Sequence, residues 1–384
     1  MEELKVKKRK TKSSLVQQGK MDITFFGLVA VLLTVGLVML FSASYAYSYA
    51  YFGNSYRFIS RQAIFAVVGF ILMILLSKVD YHIYRKFSWI IYFIAVVLLL
   101  VMLIMPPMIE GVDYKRWFAI GSFSFQPSEI AKFGIILLFS HLIASNYKSM
   151  KKFSFGIVFF GVLLAVVCAL VVLEPHLSAT VLIFLIGITL MIIGGIKLRY
   201  VILGALVGVG AGALAILTGI VSYGSDRFKY WLDPWADATG LGYQTIQSLL
   251  AVGSGGILGR GIGQSRQKYL WVPEPHNDFI FSIVCEELGL IGAMIIILLF
   301  CALIWRGFTI AMHAPDKFGS LMAVGLTFQV GLQAILNILV VTNTIPNTGI
   351  SLPFFSYGGT ALVILLCEMG IVLSISRSCN LEKV

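Results

Sequence analysis

Charge is scarce in this sequence: 12% of its 384 residues are Asp, Glu, Lys or Arg, while 59% are hydrophobic. Soluble domains carry about 25% charged residues, so a chain this poor in charge cannot clothe a water-facing surface. Cysteine is sparse too, with 5 residues, and Cys168, Cys285, Cys301, Cys367 and Cys379 stand mostly within or beside apolar runs at unrelated spacings. That pattern excludes a disulfide framework and a paired-cysteine zinc site and leaves packing as their role. Alternation of polar and apolar residues is missing as well. Stretches such as Ile90 to Met105 would give an outer-membrane barrel no polar lumen,. The glycine spacing at 253–263 matches neither a dinucleotide fingerprint nor a nucleotide P-loop, which argues against a soluble nucleotide as donor,.

What the sequence holds in quantity is long apolar runs. A bilayer core needs roughly 20 apolar residues per helical span. Runs of that kind predict helices at 21–44, 59–77, 87–105, 128–145, 154–173, 177–195, 199–222, 279–305, 317–342 and 355–376, giving an all-α polytopic membrane protein of about ten transmembrane helices. The first run is too long for a cleaved signal peptide and continues into more membrane, so Met21 to Ser44 reads as a retained helix,. Residues 1–20 form a basic tail, and 21–384 the membrane domain.

The net charge of +11 could suggest nucleic acid, but the cations gather in the tail (Lys5, Lys7, Lys8, Arg9, Lys10, Lys12) and in short loops. A cytoplasmic anchor explains them without a nucleic-acid partner. With the N-terminus inside, the loops bearing Lys78, Arg85 and Lys86, then Lys148, Lys151 and Lys152, then Lys197 and Arg199, then Arg306 and Lys317 all face the cytoplasm,. An even number of spans brings the C-terminus back to the same side.

Two outer segments are too polar for simple turns: 106–127, and the large extracytoplasmic loop 223–278 between the seventh and eighth spans. Loops beyond about 15 residues usually serve a function or lack order, and the second mixes aromatics, glycines and both charge signs. Its cations Arg227, Lys229, Arg260, Arg266 and Lys268 lie where the positive-inside rule does not ask for them,. They fit an anionic headgroup, or equally a solvated loop. Gly253, Gly255, Gly256, Gly259, Gly261 and Gly263 could bring backbone N–H groups to a phosphate, or serve as turns between short helices.

Glu274, His276 and Asp278 precede the eighth span. Asp278 can be a helix cap, a metal ligand or a general base, and from spacing alone the cap leads. Within spans, Glu129, Lys132, Glu286, Glu287 and Glu368 require partners or a cavity, because ionisable groups are costly in lipid,. Glu129 and Lys132, three residues apart on a helix, can pair with each other. Arg116 and Gln126, from the shorter outer loop, could meet the same headgroup as the large loop.

Four ordered motifs resemble the SEDS family of shape, elongation, division and sporulation proteins, which includes FtsW, RodA and SpoVE. They are KRWFAIGSFSFQPSEIAK (115–132), YWLDPWADATGLGYQTIQSLLAVGSGG (230–256), PEPHNDFIFSIVCEELG (273–289) and IPNTGISLPFFSYGG (345–359). The resemblance covers nearly the whole membrane region and is nearer FtsW and SpoVE than RodA. It implies a peptidoglycan glycosyltransferase that polymerises lipid II at the outer face of the bacterial cytoplasmic membrane, in division or sporulation. Asp278 matches the family's essential aspartate, so the general-base role overtakes the cap.

The cations Arg116, Lys132, Arg227 and Lys268, with the glycine-rich turn, become candidates for stabilising the departing pyrophosphate. Gln126, Glu129 and Lys132 match a motif lining the family's central cavity, and Glu274 and His276 stand as further substrate-binding candidates. A divalent cation, Mg or Mn, could assist, with no organic cofactor. The implied partners are lipid II, a class B penicillin-binding protein that acts as transpeptidase, and divisome or sporulation proteins. A lipid II flippase and a non-catalytic scaffold for the transpeptidase remain the competing readings. The chain departs from the family pattern at His176, where aspartate is frequent, at Asn277, where threonine is commoner, and at Asn343 and Asn347.

Overall fold

Hydrocarbon offers no partner to a backbone N–H or C=O, so each long apolar run must satisfy its own backbone by closing into a helix. The computed structural model describes residues 19–105, 116–120, 123–174, 176–202, 204 and 229–379. In chain order its regular elements are α1 (Ile23–Phe52), α2 (Arg57–Leu76), α3 (His82–Ile104), a two-stranded antiparallel hairpin β1 (Phe118–Ile120) and β2 (Phe123–Phe125), α4 (Pro127–Ser145), α5 (Phe160–Leu173) and α6 (Leu177–Ile193). These are followed by α7 (Tyr243–Gly255), α8 (Ile280–Met312), α9 (Lys317–Val341) and α10 (Gly359–Ser376). Among the described residues, eight helices are long and apolar enough to cross a bilayer, counting α5 with the π-helical turn that opens it, and α6 is a shorter apolar one. The predicted seventh span, 199–222, the start of the large loop and the first 18 residues of the tail fall largely or wholly outside the described residues.

The helices sort into an inner and an outer set. Of the apolar stretch of α4, 61% is buried, and 67% of those of α9 and α10, against 22% in α2 and 28% in α3. The outer helices turn residues such as Ile64, Phe93 and Ile104 outward, as lipid-facing surfaces do. Starts are fixed by caps: the Asp22 carboxylate accepts from Phe25 N at 2.7 Å, and Asp316 accepts from Phe318 N and Gly319 N, which satisfies otherwise unpaired amides.

Basic and capping residues converge on one end of the bundle. Arg306 pairs with Asp22 at 2.7 Å, Arg377 Nε donates to Gly19 O, Lys317 sits over the Tyr147 ring, and Tyr81 donates to Asp316. The starts of α4, α8 and α10 and the turns before them therefore lie at the opposite end.

The α8 helix is broken near its start. Gly289 has φ 66° and ψ −170°, and the backbone there pairs with the glycine-rich turn after α7: Arg260 N donates to Glu286 O, Gly261 N to Glu287 O, and Leu290 N to Gly256 O at 2.9 Å. A Cβ at Gly259 would come within 2.3 Å of Glu287 O, so glycine is what lets the two backbones meet. The turn considered for phosphate binding thus spends its close approach on α8.

Candidate functional site

Asp278 lies in the turn 273–279 that leads into α8, and a second turn, 343–358, leads into α10. Side chains bind the two together. Asn337 of α9 donates from Nδ2 to Asp278 O at 2.7 Å and to Ile350 O at 2.6 Å. Ser356 Oγ donates to Asn277 O and accepts from Leu352 N, and Tyr357 N donates to His276 O. Gly349, at φ 69°, lies against the Asp278 carboxylate: a Cβ there would stand 3.1 Å from Oδ2. The helix start itself, at Phe279, has no side-chain cap.

This double turn forms one wall of a cavity of about 470 Å³. Arg116, Gln126, Glu129, Lys132, Glu274 and Asp278, from the predicted set, all line it. Pro127 starts α4 by fixing the first-turn φ where no N–H is needed,, and from there Gln126, Glu129 and Lys132 follow at three-residue steps along one face. Lys132 is 1% exposed and its ammonium meets the Glu129 carboxylate at 2.8 Å. Glu368 of α10 is buried, with Gln329 Nε2 donating to it at 3.0 Å.

At the start of α6, His176 lines the cavity opposite Gln126, whose Nε2 stands 3.2 Å from Nδ1. Burial, aided by the charges of Arg116 and Lys132, pushes His176 down to about 3, so the ring is neutral near pH 7. Burial pushes the neighbouring Glu174 up to about 8 against the opposing pull of Arg116. Neither of its oxygens has a hydrogen-bond partner among the described residues.

Two predicted candidates lie elsewhere. His276 is buried behind the turn, its ring 4.9 Å from Tyr47 and 4.2 Å from Phe58, and burial pushes it down to about 4. Lys268, grouped by sequence with the cavity cations, is instead enclosed with Glu287 of α8 at 3.0 Å, Ser42 of α1 and Gly263 O. Its partners were fixed by the fold of the loop and not by its place in the chain. Arg227 lies outside the described residues.

The sequence reading passed over Arg61 of α2 and Gln333 of α9, which also line the cavity. The signal for Arg61 was present as an arginine inside the predicted span 59–77. Among the described residues no three His, Cys, Asp or Glu gather as a metal site. What the cavity offers is cations from α2, α4 and the segment before β1 beside a carboxylate at its wall, an arrangement able to hold a polyanion while a proton is drawn from a hydroxyl.

Fold and site together define a multi-pass membrane protein with a charged cavity at one end of its helical bundle. Residues 23–381 match the model of the FtsW, RodA and SpoVE family, described as cell cycle protein, and the chain belongs to that family. It is 38% identical over 361 residues to stage V sporulation protein E of Bacillus subtilis strain 168, covering 93% of this chain and 97% of that protein. To a probable peptidoglycan glycosyltransferase FtsW of Geobacter sp. strain M18 it is 36% identical, covering 91% of this chain and 95% of the relative.

Among solved structures, a chain from a study of how a peptidoglycan synthase complex coordinates polymerization and crosslinking superposes with a TM-score of 0.78 at 25% identity, over 93% of this chain and 98% of the other. The rod shape determining protein RodA of Thermus thermophilus gives 0.67 at 25% identity, over 94% and 98%.

Proposed function

We propose that this chain is a peptidoglycan glycosyltransferase that polymerises lipid II at the extracytoplasmic face of the bacterial cytoplasmic membrane, in cell division or sporulation. The observation that carries the reading is the Asp278 carboxylate on the wall of the cavity that also presents Lys132, Arg116 and Arg61. The orientation draws on the basic loops gathered at the other end of the bundle, which the positive-inside rule assigns to the cytoplasm.

In this mechanism Asp278 takes the proton from the 4-hydroxyl of the acceptor's N-acetylglucosamine. The oxygen attacks the anomeric carbon of the donor's N-acetylmuramic acid, the bond to the carrier phosphate breaks, and undecaprenyl pyrophosphate leaves. A single displacement inverts that carbon and needs one base, whereas a retaining route would need a second carboxylate as nucleophile. The leaving pyrophosphate gathers negative charge in a site shielded from water, where fixed cations act most strongly. Glu129 aims Lys132 at the cavity through their 2.8 Å pair. A magnesium or manganese ion fits only as a companion of the pyrophosphate held by one or two carboxylates, the usual mode for magnesium; chelation with EDTA tests its need.

The partner in this reading is a class B penicillin-binding protein, motivated by the likeness to a chain from a peptidoglycan synthase complex. Purified with it, the wild-type protein extends lipid II into glycan. Asp278→Asn, still inserted and folded, loses about 10²-fold to 10⁴-fold of that activity. Unchanged polymerisation by the variant defeats the assignment. A flippase reading draws on the buried Lys132–Glu129 pair: lipid scrambling in liposomes that responds to Lys132→Met and ignores Asp278→Asn would favour it.

A further inference from the structure

The turn that carries Asp278 has a cavity on each side. Opposite the one described, a second cavity of about 310 Å³ lies against Tyr47, Tyr51, Leu270, Val272, Pro273 and Glu274. Glu274 lines both. The wall between them is aromatic: the Tyr51 ring stands 4.4 Å from Tyr47, Tyr47 4.9 Å from His276, and His276 6.0 Å from Tyr357, which faces the first cavity.

Two of the lining residues are held in an unusual backbone state. Leu270 has φ 65° and Glu274 φ 44°, a region that non-glycine residues seldom occupy and that concentrates at ligand clamps. Tyr47 and Tyr51 belong to the last two turns of α1, at the polar boundary where amphipathic rings anchor a helix,. Anchoring would account for exposed tyrosines. It would not call for a left-handed turn that sets a carboxylate beside them.

The chemistry of the lining selects an occupant. Among the described residues it holds a carboxylate and no lysine or arginine, so a pyrophosphate or an anionic lipid headgroup is repelled. A polyprenyl chain would bury the Glu274 charge with only the neutral Asn277 amide, at 2.9 Å, to offset it, which is costly,. A pyranose ring meets both features: its C–H face packs on a tyrosine ring, and its hydroxyls donate to the carboxylate. The volume lies at the lower end of ordinary small-ligand pockets, about 300–1,000 Å³.

We propose that this second cavity is a saccharide subsite, taking the N-acetylhexosamine rings of the glycan next to the sugar whose hydroxyl Asp278 activates. The proposal rests on the glycosyltransferase reading for the identity of the glycan. A strand seated on Tyr51 and Tyr47 passes Glu274 and arrives at Asp278 on the same turn.

The test titrates the full-length protein in lipid nanodiscs with chitotetraose, a neutral oligomer of N-acetylglucosamine, read by saturation-transfer NMR. Wild type binds saturably. Tyr51→Ala weakens binding roughly threefold to tenfold, as loss of one ring contact predicts, while Tyr51→Phe keeps it and Glu274→Gln weakens it. Tyr51 is 64% exposed, so truncation leaves no buried hole; Tyr51→Leu, which removes only the ring, gives a second reading of the same contact.

Absence of saturable binding, or equal binding by wild type and Tyr51→Ala, overturns the subsite. Lipid II turnover by the wild type, measured separately with its partner, reads the enzyme assignment. Turnover with Tyr51-independent binding removes the subsite alone, and Tyr51-dependent binding without turnover removes only the enzyme.

Discussion

Among the described residues two buried lysines pair with glutamates, and the pairs are built to different ends. Lys268 and Glu287 meet at 3.0 Å in a closed cluster. The ammonium also donates to Ser42 Oγ and Gly263 O, and the carboxylate also accepts from Ser42 Oγ and Ser265 N. Three donors thus find three acceptors, and nothing is left for a ligand. Lys132 and Glu129 meet at 2.8 Å at the edge of a cavity, and Glu129 is the ion-pair partner of Lys132 among the described residues. A charge whose hydrogen-bonding capacity is filled ties α1, α8 and the loop together. One with capacity to spare can serve a substrate.

The largest effect that separates the two is on stability. Lys268→Met strands the Glu287 carboxylate in the interior and is expected to cost about 3–5 kcal/mol, as when one partner of a buried pair is removed. Thermal unfolding in detergent reads the loss. The double variant Lys268→Met/Glu287→Leu removes both charges and recovers part of it. A Lys268→Met protein as stable as wild type would erase the distinction.

Lys132→Met belongs on the other side of the comparison. If its charge serves the departing pyrophosphate, kcat for lipid II polymerisation falls about 10²-fold to 10³-fold, the usual cost of deleting one electrostatic stabiliser. Unfolding temperature moves far less than for Lys268→Met, because the carboxylate left behind, Glu129, is 14% exposed at the cavity, whereas Glu287 is wholly enclosed. A smaller loss is expected for Gly349→Ala. The residue needs φ 69° and its Cβ would press on the Asp278 carboxylate. The left-handed backbone costs roughly 1–2 kcal/mol, and a displaced base lowers kcat while KM stays near its wild-type value.

Eight of the ten predicted spans match helices long and apolar enough to cross a bilayer, because length and composition of an apolar run settle whether it can do so,. The cavity face of α4 was legible only through the family resemblance, whose motif holds Gln126, Glu129 and Lys132; spacing alone gave no more than a Glu129–Lys132 pair at a helical step,. Lys268 was not, since no sequence pattern says which carboxylate a loop lysine will reach once the loop has folded back. The same long-range pairing hid the break in α8, where Gly289 meets Gly259 and its neighbours across the glycine-rich turn. His276 read as a substrate contact by its nearness to Asp278 in the chain. Its ring points the other way, into Tyr47 and Phe58.

Glu174 sharpens the comparison from a third direction, as a buried carboxyl whose oxygens lack a hydrogen-bond partner among the described residues. Burial raises it from 4.5 to about 8, with Arg116 pulling the other way. A raised carboxyl holds a proton in the folded state that the unfolded chain has already released, so between these two values stability falls as pH rises. Below about pH 4.5 both states are protonated and the term vanishes. Glu174→Gln fixes the neutral form: its unfolding temperature should match wild type near pH 5 and exceed it by a few degrees near pH 8. If the carboxylate is instead ionised and held by Arg116, the order at the higher pH reverses. Glu174 would then join Lys268 and Glu287 among the groups whose charge the fold has matched.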